Sequence, residues 1–373
     1  METKKLGFGG MRLPLTDSDN QKSVDMAQVE RMVDTFLERG FTYFDTAYMY
    51  HDFTSECIVR EALVKRHPRA SFTLADKLPT MMLQQEGDQE RIFAEQLEKC
   101  GVDYFDYYLL HSLNTANYRN VERFGSFDFA LRMKAEGRIR HVGFSFHDNA
   151  ELLDRILTEH PEAEFVQLQI NYLDGDTPGI QSRECYETAR RHGKQVVVME
   201  PVKGGALAHV PAEVETLFRG IAPDLSPASW AIRHVASLDG VMMVLSGMSS
   251  LEQLLDNTSY MRDFQPLSDT ERQTIDRAVE IIRRSIAIQC TACRYCTPGC
   301  PRHIAIPDCF ALYNADKQSV NQGFSIQQFY YQTLVETHGR ASECIGCRKC
   351  EKICPQHLPI VDLLKQVAEA FEQ

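Results

Sequence analysis

The sequence predicts an α/β fold, a closed (β/α)8 barrel followed by a smaller helical domain rich in cysteine, and three observations carry that prediction. Short β-rich apolar runs alternate with amphipathic helical stretches through the first two-thirds of the chain, as parallel βαβ units require. The β signal stops after Leu251 to Asn257 and gives way to a charged helical stretch from Ser268 to Ala287. Beyond it, most of the twelve cysteines crowd into two short segments. At 373 residues the chain also exceeds what one core usually holds, and a barrel of about 250 residues with a module of about 90 accounts for it.

Taken in order, the strand candidates are Leu6 to Gly10, Phe41 to Asp45, Phe72 to Lys77, Phe105 to His111, His141 to Ser145, Phe165 to Gln169, Val196 to Glu200 and Val241 to Leu245. Between the first two, Val29, Met32, Val33, Phe36 and Leu37 form a helical stripe that Gly40 ends as a C′ glycine. Asp148 or Asn149 caps a helix carrying Leu152, Leu153, Ile156 and Leu157, and Gly101 and Gly193 terminate two others. Eight strands with intervening helices predict a TIM barrel. The open doubly wound sheet is the alternative, but no G-x-G-x-x-G turn follows the first strand. We therefore expect a barrel over residues 1–265, a helical linker over 266–284 and a second domain over 285–373.

Apolar residues make up 43% of the chain and charged residues 25%, enough for a sizeable core in an ordinary soluble protein. The net charge of -12 argues against a nucleic-acid or anionic-membrane surface. Met1 to Pro14 lacks the apolar h-region of a secretory signal, and no run reaches the length of a membrane span, so a cytoplasmic location is expected. Thiols stay reduced in that compartment, and the cysteines need a reason other than disulfides.

That reason lies in Cys290-x2-Cys293-x2-Cys296-x3-Cys300-Pro301 and Cys344-x2-Cys347-x2-Cys350-x3-Cys354-Pro355. Three thiolates at this spacing wrap one cubane, and the fourth, held before a proline, reaches the other. Two 4Fe-4S clusters are expected, one on Cys290, Cys293, Cys296 and Cys354, the other on Cys344, Cys347, Cys350 and Cys300. Zinc also uses C-x2-C but pairs two such knuckles around a tetrahedral ion. More than forty residues separate the motifs, and helical stretches such as Ser325 to Glu336 lie between them, so the tail resembles the α-helical ferredoxin-like domain of multi-cluster oxidoreductases. Cys57, Cys100, Cys185 and Cys309 stand singly and are expected to pack as small hydrophobes.

Catalytic groups of TIM barrels sit at the C-terminal strand ends, where Asp45, Tyr50, Lys77 and His111 fall. A tyrosine donates a proton to a carbonyl oxygen only if a nearby cation favours its phenolate form. Lys77 offers that charge, Asp45 holds Lys77, and His111 offers a hydrogen bond that orients the carbonyl. Taken singly, Asp45 and Lys77 also read as a structural ion pair, and His111 as a core histidine.

Asp45-Thr-Ala-x-x-Tyr50, Lys77 and Tyr-Tyr-Leu-Leu-His111 resemble the catalytic tetrad of the aldo/keto reductases, and Gly7 to Gly10, Gly143 to Ser145, Gln169 to Tyr172 and Ser246 to Asn257 extend the likeness. The resemblance implies that Ser145 and Gln169 hold the nicotinamide amide of NADP(H) or NAD(H), while Gly247, Ser249, Gln253 and Asn257 bind its adenosine end. Ser249 and Ser250 also read independently as a helix N-terminus suited to phosphate. Phe146 replaces the usual carboxamide-binding asparagine, and Met199 the aromatic residue that stacks on the nicotinamide. Ser246 to Asn257 lacks the cation that pairs with a 2′-phosphate. Lys203, in Glu200-Pro-Val-Lys203-Gly-Gly, offers a further phosphate contact or marks a plain turn.

These features predict an oxidoreductase moving hydride between a nicotinamide and a small-molecule carbonyl or hydroxyl group, its clusters serving electron transfer or structure. The alternative places FMN at the barrel top, fed through the clusters by a ferredoxin-like partner, because a nicotinamide moves two electrons together and a cluster one. A non-catalytic docking scaffold is the third reading.

Overall fold

Each apolar run forms one strand, and eight parallel strands close into a barrel in chain order. The strands are β1 (Leu6–Gly9), β2 (Tyr43–Asp45), β3 (Thr73–Leu78), β4 (Phe105–Leu113), β5 (Ile139–Phe146), β6 (Phe165–Gln169), β7 (Gln195–Met199) and β8 (Val241–Ser246). The structure is a computed structural model describing residues 4–18, 20–175, 181–318 and 326–372. Tyr43, Ala75, Leu109, Phe165, Val197 and Met243 fill the lumen. The larger shell between strands and helices includes Phe36, Phe44, Phe105 and Phe144.

Local chemistry sets the helix ends. Helix Met26–Glu38 buries Val29, Met32, Val33 and Phe36 and is followed by Gly40 at φ 81°. Asn149 caps Ala150–Glu159 by accepting from the Leu152 N–H, and Gly101 closes Asp88–Cys100 in the left-handed region. Within the lumen Gly143 is obligatory: a Cβ there would stand 2.5 Å from the Phe165 carbonyl oxygen and 2.7 Å from its ring.

The chain divides into two compact units, and the second takes Lys203–Pro227 as well as the residues from Ser268 onward. The helix expected as a linker is Asp269–Ser285, begun by a capping box between Ser268 and Glu271. Its buried stripe, Thr274, Ile275, Ala278 and Ile282, belongs to the second unit, where the helix packs against Ala212–Arg219. Helices Ile306–Gln318, Ile326–Leu334 and Ile360–Phe371 surround a core of Ile304, Phe310, Tyr331, Leu364 and Phe371. The expected helix from Ser325 to Glu336 begins at a residue outside those described. Asn314 clamps the approach to the first cysteine segment, its amide exchanging two 2.7 Å bonds with the backbone of Ile288. Among the described residues, no helix is long and apolar enough to cross a membrane.

Candidate active site and cluster centre

Asp45 ends β2 and Lys77 lies at the end of β3, their side chains both directed into the barrel. Lys77 Nζ donates to Asp45 Oδ1 and to the Thr46 carbonyl, each at 2.6 Å, and Lys77 is wholly buried. Burial opposes the charge on Lys77, but Asp45 and Tyr50 outweigh it and its pKa is raised. The Asp45 carboxyl is also raised, by burial, with Lys77 pulling the other way. Asp45 Oδ2 has no hydrogen-bond partner.

Tyr50 stands in the turn after β2, half-buried, with Lys77 Nζ 5.0 Å from its ring centroid. The three residues after it, His51, Asp52 and Phe53, all have positive φ, a costly run for side chains with a Cβ. His51 fixes that run: Nδ1 donates to the Gln21 carbonyl at 2.9 Å, and Nε2 accepts from the Leu13 N–H at 3.4 Å. The strained turn is thereby held against the β1 loop, with Tyr50 at its start.

His111 reaches the same place through a β-bulge. The register of β4 against β5 shifts between Leu110 and Leu113, and Ser112 takes φ 60°. The His111 ring lies edge-on to Tyr50 at 6.0 Å between centroids. Burial, then the charges of Lys77 and His147, hold its pKa well below the usual histidine value, so it is neutral at pH 7. Its buried Nδ1 has no partner. The arrangement can present a proton donor, Tyr50, and a neutral hydrogen-bonding group, His111, to one carbonyl oxygen, with a fixed cation behind the phenol.

Ser145 Oγ accepts from the Ser112 N–H at 2.7 Å, which leaves its O–H to donate. The register partner of Ser145 is Gln167, a buried residue whose Oε1 is unpartnered and whose Nε2 lies 3.4 Å from Met199 Sδ. Gln169 is on the same strand face, half-buried, two residues further along and level with Met199. Gln167 was not singled out from the sequence, although counting register from Ser145 selects it. Phe146 faces away from the lumen into the shell with Phe144, so the missing asparagine leaves no gap in the site.

After β8, Ser250 caps helix Leu251–Met261, Gln253 Oε1 accepts from the Ser249 N–H, and Ser249 Oγ donates to the Arg12 carbonyl at 2.9 Å. Asn257 is buried, donating to Ser246 Oγ and accepting from Tyr260, so it braces this loop. Arg12 was also missed. Its side chain lies against exposed Gly247, 3.2 Å from a Cβ placed there, and its guanidinium is 3.7 Å from Glu200. The loop after β8 lacks its own cation but has this one from the turn after β1. Lys203 belongs to the second unit and is buried, and its charge bears on the Cys290 thiol, opposing the larger effect of burial there.

The cysteines of the tail line two cavities. One has Cys300, Cys344, Cys347 and Cys350, and the other has Cys290, Cys293, Cys296 and Cys354. Each fourth cysteine thus crosses to the cavity of the other motif. No three His, Cys, Asp or Glu side chains among the described residues converge on a point fit for one metal ion. Four thiols ringing such a cavity suit a cubane better than a lone zinc. None of the twelve cysteines is in a disulfide, and Cys100, Cys185 and Cys309 are buried as expected, whereas Cys57 is exposed.

Residues 5–280 match the aldo/keto reductase family, and residues 289–359 match the 4Fe-4S dicluster domain. An aldo-keto reductase of Mycolicibacterium vanbaalenii is 29% identical over 245 residues, covering 65% of this chain and 81% of that protein. The holo form of an aldo-keto reductase from Bacillus halodurans superposes with a TM-score of 0.58 at 25% identity, over 74% of this chain and 91% of that one. An aldo-keto reductase from Klebsiella pneumoniae, solved in complex with NADPH, shares the fold with a TM-score of 0.59 at 22% identity, over 74% and 90% of the two chains.

Proposed function

Since this chain belongs to the aldo/keto reductase family and carries a C-terminal 4Fe-4S domain, we propose that it moves hydride between NADP(H), in preference to NAD(H), and a small-molecule carbonyl or hydroxyl substrate. In this reading two 4Fe-4S clusters exchange electrons with a ferredoxin-like partner in the cytoplasm. The family makes the protein an oxidoreductase. The observation that carries the reaction is the buried Asp45–Lys77 ion pair under Tyr50, beside a neutral His111.

A bound reduced nicotinamide supplies hydride to the carbonyl carbon. Tyr50 delivers the proton to the carbonyl oxygen, and Lys77 stabilises the phenolate left behind. His111 donates a hydrogen bond to the same oxygen and keeps it in line with Tyr50. Ser145 and the free Oε1 of Gln167 suit a carboxamide, which both donates and accepts. Arg12 beside Gly247 and Ser249 supports the preference for a 2′-phosphate. A second reading places FMN at the barrel top, and Met199, a thioether where the family places a stacking ring, is compatible with it.

The test uses anaerobically purified holoprotein, assayed for iron, sulfide and released cofactor, and then for reduction of an aldehyde and ketone panel with NADPH or NADH. We expect iron without flavin, a lower KM for NADPH than for NADH, and a rate lowered about 10²- to 10⁴-fold in Tyr50→Phe with nucleotide binding retained. Stoichiometric flavin moves the chemistry to the second reading. An unchanged Tyr50→Phe rate removes the tetrad from it.

A further inference from the structure

The two cysteine-lined cavities differ in what surrounds them. At the cavity of Cys290, Cys293, Cys296 and Cys354 the one charged lining residue among those described is Arg294, which two bonds of 2.7 and 2.9 Å to Asp308 neutralise, and the further cation near Cys290, Lys203, is buried. The cavity of Cys300, Cys344, Cys347 and Cys350 is lined by Arg302, Arg348 and Lys349 and by no acidic residue. Lys352 follows one helical turn on. Arg348 has two acidic neighbours, Glu351 at 3.8 Å and the more distant Asp362, and Arg302, Lys349 and Lys352 are in no ion pair among the described residues.

Of the acidic side chains here, Glu343 accepts from the Arg340 N–H, Glu351 accepts from the Val361 N–H at 3.0 Å with its other oxygen toward Arg348, and Asp362 pairs with Lys365 at 2.7 Å. The basic ones all face solvent. Cys347 is exposed with them, and so are two large apolar side chains, Ile345 at 60% and Ile353 at 46%, the latter beside Gly299 of the same cavity. An apolar centre with a cationic rim therefore lies over one cluster position, in a chain whose net charge is -12.

We propose that this face, Ile345 and Ile353 rimmed by Arg302, Arg348, Lys349 and Lys352, is the port where an acidic one-electron carrier protein docks and reduces the cluster held by Cys300, Cys344, Cys347 and Cys350. The proposal rests on the reading above that the clusters carry electrons. Charge complementarity admits an anionic partner, and the cluster position beside the patch selects among such partners, because an acidic one-electron carrier protein is the one that a redox centre there would serve. A small apolar centre suits the brief, limited contact of redox partners. One electron passes at each encounter: the carrier is oxidised by one and the cluster reduced by one, with no bond made or broken.

The experiment follows cluster reduction in the full-length holoprotein by stopped flow, using a small acidic bacterial ferredoxin as reductant and photoreduced deazariboflavin as a small control donor. Wild type and Lys349→Glu/Lys352→Glu are compared at low and high salt. The expected result is a ferredoxin rate that falls with salt in wild type and is lowered about tenfold or more at low salt in the variant. The deazariboflavin rate and iron content should not change. If the charge reversals lose iron, Lys349→Gln/Lys352→Gln replaces them, with a smaller drop expected. Equal ferredoxin rates and salt dependence in wild type and variant overturn the port alone. Clusters that accept no electron even from deazariboflavin overturn the electron-transfer reading and the port with it.

Discussion

Lys77 has no solvent exposure, and the two oxygens at 2.6 Å from its Nζ are what make a charge tolerable there. Lys77→Met leaves Asp45 buried without its cation, and we expect it to lose carbonyl reduction and about 3–5 kcal/mol of stability near neutral pH. That loss should shrink in acid. Burial already raises the Asp45 pKa with Lys77 in place, so without Lys77 the folded pKa lies further above the unfolded value of about 3.9. The folded variant then binds the extra proton: its stability is fully present below the unfolded pKa and is lost as pH rises through the folded one. Urea unfolding of variant and wild type at about pH 5 and about pH 8 measures this, and a gap independent of pH would mean that Asp45 stays ionised. His111 contributes with the opposite sign. Burial and the Lys77 charge lower its folded pKa, so the unfolded chain binds the proton first below about pH 6.5 and native stability falls as pH drops.

At the scale of elements, β5 and β6 approach so closely at Gly143 that a Cβ would meet a backbone carbonyl, which cannot swing aside as a flexible side chain does. Gly143→Ala should therefore cost about 1–3 kcal/mol, read by chemical denaturation, and wild-type stability would mean that the two strands can part there. The strands themselves were legible because a strand buried on both faces needs a short β-branched and aromatic run, and polar helices set each run apart. Asp45 and Lys77 were legible because strand ends are where barrel chemistry sits, whereas Ser145 was named only through the family resemblance. The bulge that turns His111 inward was not, since a register shift belongs to two strands and Ser112 carries no glycine to mark it. Gln167 and Gln169 share one face of β6, and sequence alternation gives the face without the depth. Arg12 meets the loop after β8 across more than two hundred residues of chain, a proximity that only barrel closure creates.

At the scale of the whole molecule, the described residues of the second unit come from two places in the chain, and its cysteines interlock the two motifs of the tail. If Cys354 ligates across to the cavity of Cys290, Cys293 and Cys296, then removing one ligand from each motif does not always remove two clusters. Cys354→Ala with Cys293→Ala strikes one cavity twice, and the holoprotein should keep about four of the roughly eight irons that two such clusters would hold. Cys354→Ala with Cys347→Ala strikes both cavities and should leave almost none. Without crossing, the first pair would strip both clusters and the second would spare one. Iron and sulfide analysis of the two double variants, purified anaerobically side by side, thus reads the connectivity from opposite outcomes at equal mutational load. The same pair separates structure from electron flow. A fold that survives the loss of one cluster but collapses with both has a metal contribution to its folding free energy, since thiols gathered around empty cavities lose the cross-links that hold these loops together.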